Sequence, residues 1–103
     1  MYLIKLRFES NIKGIYTYEE ETADNSSMKD MKIIRMLEKW CEILKININF
    51  RPDFLYSYND KISIYKAQIQ YYLNKLNENI KEGEQKRKFK IEVIYTEEII
   101  NIN

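Results

Sequence analysis

Residues 46–58, ININFRPDFLYSY, decide the fold. Apolar side chains alternate on both sides of a proline: Ile46, Ile48 and Phe50 before it, Phe54, Tyr56 and Tyr58 after it. A period of two is the mark of a strand with one buried face. Pro52 fixes φ and has no N–H, so it suits a turn between strands better than the middle of one. The stretch therefore predicts a hairpin, roughly 46–50 and 54–58. Were Phe54, Tyr56 and Tyr58 to face outward, only Leu55 and Ser57 would be left inside. Burying one large apolar side chain is worth about 1.5–3 kcal/mol. The three rings are thus expected to face the core, with the tyrosine hydroxyls at its rim.

Helical patterns flank the hairpin. Over 27–45, Ile33, Leu37, Trp40 and Leu44 recur at helical spacing beside Ile34 and Cys41, opposite a charged face. Ser27 is the expected N-cap, with Asp30 in the capping-box position. Asn59 or Asp60 is expected to cap a second helix. Its stripe runs Ile62, Tyr65, Ile69, Tyr72, Leu76 and Ile80, and Gly83 is expected to end it. Residues 2–8 alternate Tyr2, Ile4, Leu6 and Phe8 against Leu3, Lys5 and Arg7. Phe89, Ile91, Val93 and Tyr95 alternate likewise. A weaker alternation in IYTYEEET predicts an extra strand over 15–20, linked by a hairpin to the first.

These elements spell a single α+β domain over 1–103. Two helices pack on one face of an antiparallel sheet, in the ferredoxin-like βαββαβ order with an extra N-terminal hairpin strand. The extra strand needs room, because the first strand of a ferredoxin-like sheet is central and already has two neighbours.

The composition removes much chemistry. There is no histidine, hence no imidazole base and no Ser-His or Cys-His nucleophile. Cys41, the sole cysteine, lies on the apolar stripe of the first helix and reads as a small core residue. Two glycines leave no phosphate-cradling loop. Glu19, Glu20 and Glu21 adjoin, yet neighbours in a strand point to opposite faces and form no ready metal cage. No catalytic residue, metal or cofactor is expected. No apolar run of about 18 residues offers a membrane span. The start, MYLIKLRFES, lacks the order of a signal peptide, which suggests a cytoplasmic protein.

Seventeen basic and sixteen acidic residues leave a net charge of +1, so a charged partner would have to be read by a local patch. Ile, Lys, Asn and Tyr, whose codons are AT-rich, make up almost half the chain. This points to an AT-rich genome, such as a low-GC bacterium or its phage.

The sequence favours a small non-enzymatic protein that occupies a partner protein's surface. A phage- or mobile-element-encoded inhibitor of a host defence complex, anti-CRISPR-like, fits that description. The candidate contacts are Tyr16 and Tyr18 with Glu19, Glu20 and Glu21, an acidic-aromatic ribbon suited to a basic or nucleic-acid-binding partner. Ile64 and Tyr71, on the outer side of the second helix, are the others and could seed a homodimer. The alternative is an RNA-binding module. It would use Lys5, Arg7 and Lys90 on the open sheet face, beside Glu92, Asn47 and Asn49, together with Lys86, Arg87 and Lys88. Many RNA-binding domains carry K/R-G-F/Y-G/A-F-V-x-F/Y on their third strand, but FLYSY lacks the glycine and the basic lead. A metal-dependent nuclease is the third reading.

Overall fold

A computed structural model of the protein describes residues 1–10, 18–81, 83 and 85–95. The chain runs through β1 (Tyr2–Phe8), β2 (Tyr18–Ala23), α1 (Ser26–Ile43), α2 (Tyr58–Asn77) and β3 (Phe89–Tyr95). The strands form one antiparallel sheet in the order β2-β1-β3, and the helices cover one side of it. The architecture is α+β.

The strand faces follow from the alternation. Leu6 in β1 stands opposite Glu19 in β2 and Ile91 in β3, and Ile4 stands opposite Glu21 and Val93. Tyr2, Ile4, Leu6 and Phe8 therefore face the helices, with Ile4, Leu6 and Phe8 buried. α1 packs on β1 and β2 and also against α2, which itself reaches β3. The buried face of α1 is accordingly wide and takes in Ile33, Ile34, Met36, Leu37, Trp40, Cys41 and Leu44. α2 contributes Tyr65, Ile69 and Leu73. Phe8 packs on Trp40 with ring centroids 4.7 Å apart, joining the central strand to α1.

The helix ends are chemically specified. Asn25, not Ser27, caps α1, its side chain accepting the Met28 N–H at 2.9 Å. At the other end the Lys45 N–H donates to the Glu42 carbonyl and the Ile46 N–H to the Cys41 carbonyl. That is a Schellman motif, with Lys45 at φ 58 in the left-handed position where glycine is usual. Ser57, not Asn59 or Asp60, caps α2 and forms a reciprocal capping box with Asp60. α2 ends at Asn77, short of Gly83.

The hairpin over 46–50 and 54–58 does not form. Residues 46–57 contain no strand, and the order is ββααβ, not the ferredoxin-like βαββαβ. The reason lies beside β1. Its two edges are taken by β2 and β3, so the strand near 15–20 occupies sheet space that 46–58 would have needed. That strand lies at Tyr18–Ala23, and its expected part at 15–17 falls outside the described residues. The alternation over 46–50 is still real. Ile46, Ile48 and Phe50 are half-buried against the core while Asn47 and Asn49 are exposed, so Asn47 and Asn49 do not join the open sheet face.

Candidate functional site

The loop from Arg51 to Ser57 is where structure and sequence expectation differ most. The Phe54 N–H donates to the Arg51 carbonyl at 3.1 Å, closing a turn with Pro52 at its second position, where its fixed φ is favourable. The Tyr56 hydroxyl accepts the Arg51 N–H at 3.1 Å. The Tyr56 ring packs between Phe54, at 4.9 Å, and Phe50, at 5.0 Å. Phe50 in turn meets Tyr65 of α2 at 5.5 Å. A chain of rings thus runs from the surface to the helix layer, each pair worth about 0.5–1.5 kcal/mol beyond its buried area.

The inner end of that chain is firmly held. Tyr65 is buried and its hydroxyl donates to Glu38 at 3.1 Å. Burial first, then the Glu38 charge, pushes its pKa up to about 12. The outer end is exposed: Phe54 is 55% accessible, Leu55 is 96%, and Tyr58 follows at the start of α2. Tyr58 also borders a shallow depression of about 200 Å³ with Met31, Ile34, Arg35, Glu38 and Lys61. The expectation that Phe54, Tyr56 and Tyr58 face the core is therefore corrected. Tyr56 is half-buried as the middle of the stack, while Phe54 and Tyr58 lie outside. A readable signal was present. Ser57 and Asp60 have the capping-box spacing, which starts a helix at 58 and leaves 54–58 too short for a strand.

The open sheet face carries Lys5 and Arg7 from β1, Tyr18, Glu20 and Thr22 from β2, and Lys90, Glu92 and Ile94 from β3. Its charges interleave. Lys5 stands between Glu20 and Glu92, and Glu92 lies 3.6 Å from Arg7 and 3.3 Å from Lys90. The Tyr18 hydroxyl donates to Glu20, which raises the tyrosine pKa. Lys86 and Lys88 are exposed beyond this face. Arg87 is fixed through its backbone, its N–H and carbonyl both bonded to the Asn77 amide at 2.8 and 3.0 Å.

The acidic ribbon is divided between the two faces. Tyr18 and Glu20 point to the open face, Glu19 and Glu21 to the helix side. Glu19 accepts from Lys39 Nζ at 2.5 Å and from Trp40 Nε1 at 3.3 Å, so it ties β2 to α1. Tyr16 lies outside the described residues. On α2, Tyr71 is exposed with Lys75 Nζ 5.5 Å from its ring centre, and Ile64 is half-buried.

No family model, curated protein or solved structure matches this chain. The site must be read from its own chemistry. Among the described residues, no three side chains of the metal-ligating types converge. The Cys41 thiol is buried, and its pKa is pushed up to about 11 by burial and then by Glu38, so it stays a neutral thiol at pH 7. No helix is long and apolar enough to cross a membrane among the described residues.

Proposed function

We propose that this is a binding protein that acts by occupying the surface of a partner protein, with Phe54 and Leu55 as its anchor. The observation that carries this reading is Leu55: a large apolar side chain, 96% exposed, on a loop held by a turn, a hydrogen bond and a stack of rings. Isolated exposed apolar residues are common on proteins. An apolar tip on a pre-ordered loop is a different matter, since little conformational entropy is left to lose on binding. Aromatic and apolar anchors entering a partner's pocket carry most of the energy of typical interfaces.

The mode of action is steric. A small chain seated in this way excludes whatever else its partner's surface would bind, as an inhibitor of a larger complex would. The open sheet face favours this reading over RNA binding. Phosphates would compete there with Glu20 and Glu92 for Lys5, Arg7 and Lys90.

Photo-crosslinking tests the proposal. A photoreactive residue at position 54 or 55 is expected to capture a protein in cells, and one at position 71 is not. Capture from 71 but not from 54 or 55 would overturn it.

A further inference from the structure

A cavity of about 310 Å³ opens where the end of α1, residues 46–48 and α2 meet. Ile46, Ile48 and Tyr65 give it apolar walls, and Glu38 and Glu42 of α1 add carboxylates one helical turn apart. Small-molecule sites of this size join apolar walls to a few converging polar groups. The space is electronegative for three separate reasons. First, no basic side chain lines it among the described residues. Lys45, just past α1, is not in its lining, and Arg35 and Lys61 line the separate depression beside Tyr58. Glu38 accepts the Tyr65 hydroxyl, and Glu42 makes no ion pair among the described residues. Second, the last turn of α1 has no basic residue, so the negative end of its dipole is uncompensated there. Third, burial and then the Glu38 charge raise the pKa of the Cys41 thiol and of the Tyr65 hydroxyl, and both residues line the cavity.

We propose that this cavity binds an organic cation, an ammonium or guanidinium group carried on a short aliphatic stem. The charged head lies between Glu38 and Glu42, and the stem lies against Ile46, Ile48 and the Tyr65 ring. Anions are repelled by the two carboxylates. A metal ion suits the site less well, because Mg²⁺ and Ca²⁺ take about six or more oxygen ligands and the remaining walls are largely apolar. A free amine and the lysine or arginine side chain of a partner share the chemistry that the cavity recognises. The site is separate from Phe54 and Leu55, neither of which lines it.

NMR titration of the full chain at fixed salt tests this with n-butylammonium, and with n-butanol and butyrate as its neutral and anionic counterparts. The ammonium should give saturable amide shifts at Cys41, Glu42 and residues 46–48, with a dissociation constant in the millimolar range for so small a ligand. n-Butanol and butyrate should bind the native chain at least about tenfold more weakly. Glu38→Gln and Glu42→Gln should each weaken the ammonium about fivefold or more, and the double variant should abolish saturation. Glutamine at position 38 still offers an oxygen to the Tyr65 hydroxyl, and circular dichroism confirms folding. The comparison of the three probes on the native chain stands even if a variant fails to fold. Leu55→Asp should bind the ammonium as the native chain does, so the cavity and the anchor loop are tested apart. Nα-acetyl-lysine methylamide separates the two sources. Binding as tight as n-butylammonium assigns the cavity to a partner's side chain, and weaker binding assigns it to a free amine. No saturable shift with n-butylammonium, equal binding of n-butanol, or an affinity that ignores both glutamine changes would each overturn the proposal.

Discussion

The Tyr56 hydroxyl accepts the Arg51 N–H at 3.1 Å, so a side chain late in the loop fixes the backbone at its start. Phe54 and Leu55 lie between those two residues. Their exposure is thereby held in one arrangement while the Tyr56 ring remains packed on Phe50 and Phe54. Tyr56→Phe keeps the rings and removes only the hydroxyl. It should weaken loop closure by about 1 kcal/mol. The expected readout is faster amide exchange at Arg51 with little change in global stability. Unchanged exchange at Arg51 would argue that the hydroxyl does not order the loop.

The three glutamates of β2 should behave unequally. Glu19 bonds Lys39 and Trp40, whereas Glu20 and Glu21 make no contact with α1 of that kind. Glu19→Ala should cost about 1–2 kcal/mol in urea unfolding. Glu20→Ala and Glu21→Ala should stay within about 0.5 kcal/mol. Equal effects at all three positions would contradict the tie between β2 and α1. A combined change of all three would mix this structural loss with any loss of binding.

Lys45 occupies a left-handed position in the Schellman motif, φ 58. Glycine adopts that conformation without a Cβ penalty. Lys45→Gly should raise stability by about 0.5–1 kcal/mol despite the added freedom of the unfolded chain. A fall in melting temperature would show that the lysine side chain contributes there.

The alkaline limb should reveal the buried Tyr65 and Cys41. Both have folded pKa values above the ordinary ones, about 12 against 10.0 and about 11 against 9.0. The folded state therefore favours their neutral forms. That stability is fully present below the unfolded pKa of each group and is lost as pH rises through the folded one. Melting temperature should hold up to about pH 9 and then fall towards pH 12. With no histidine in the chain, no imidazole contributes a transition between pH 5 and 8. Tyr65→Phe should flatten the upper part of the fall, and an unchanged pH profile in that variant would contradict the assignment.

Much of the fold was legible. β1, both helices and β3 follow directly from period two and period 3.6, and most of their inward residues are those the alternation names, although Val93 and Tyr95 of β3 stay exposed and Ile80 lies past the end of α2. The shared face of Lys5, Arg7, Lys90 and Glu92 was legible for the same reason. The loop 46–58 was not, because alternation reports which side chains are buried and not whether the backbone has a ladder partner. Ile46, Ile48 and Phe50 alternate against the core without joining the sheet. Competition for the edge of β1 is a long-range fact, and it left Phe54 and Leu55 outside. The split of the Glu19–Glu21 ribbon was legible, but the Trp40 and Lys39 partners of Glu19 were not. Those partners depend on how α1 lies across β2.

The most direct test of the central claim is affinity purification from the native host at low and high salt, comparing the native chain with Leu55→Asp. Leu55 is almost fully exposed, so the variant should fold and melt as the native chain does. A protein partner should be retained by the native chain at high salt and lost with Leu55→Asp. The same partner recovered equally by both chains, or nucleic acid recovered in a salt-sensitive manner with no protein, would contradict it.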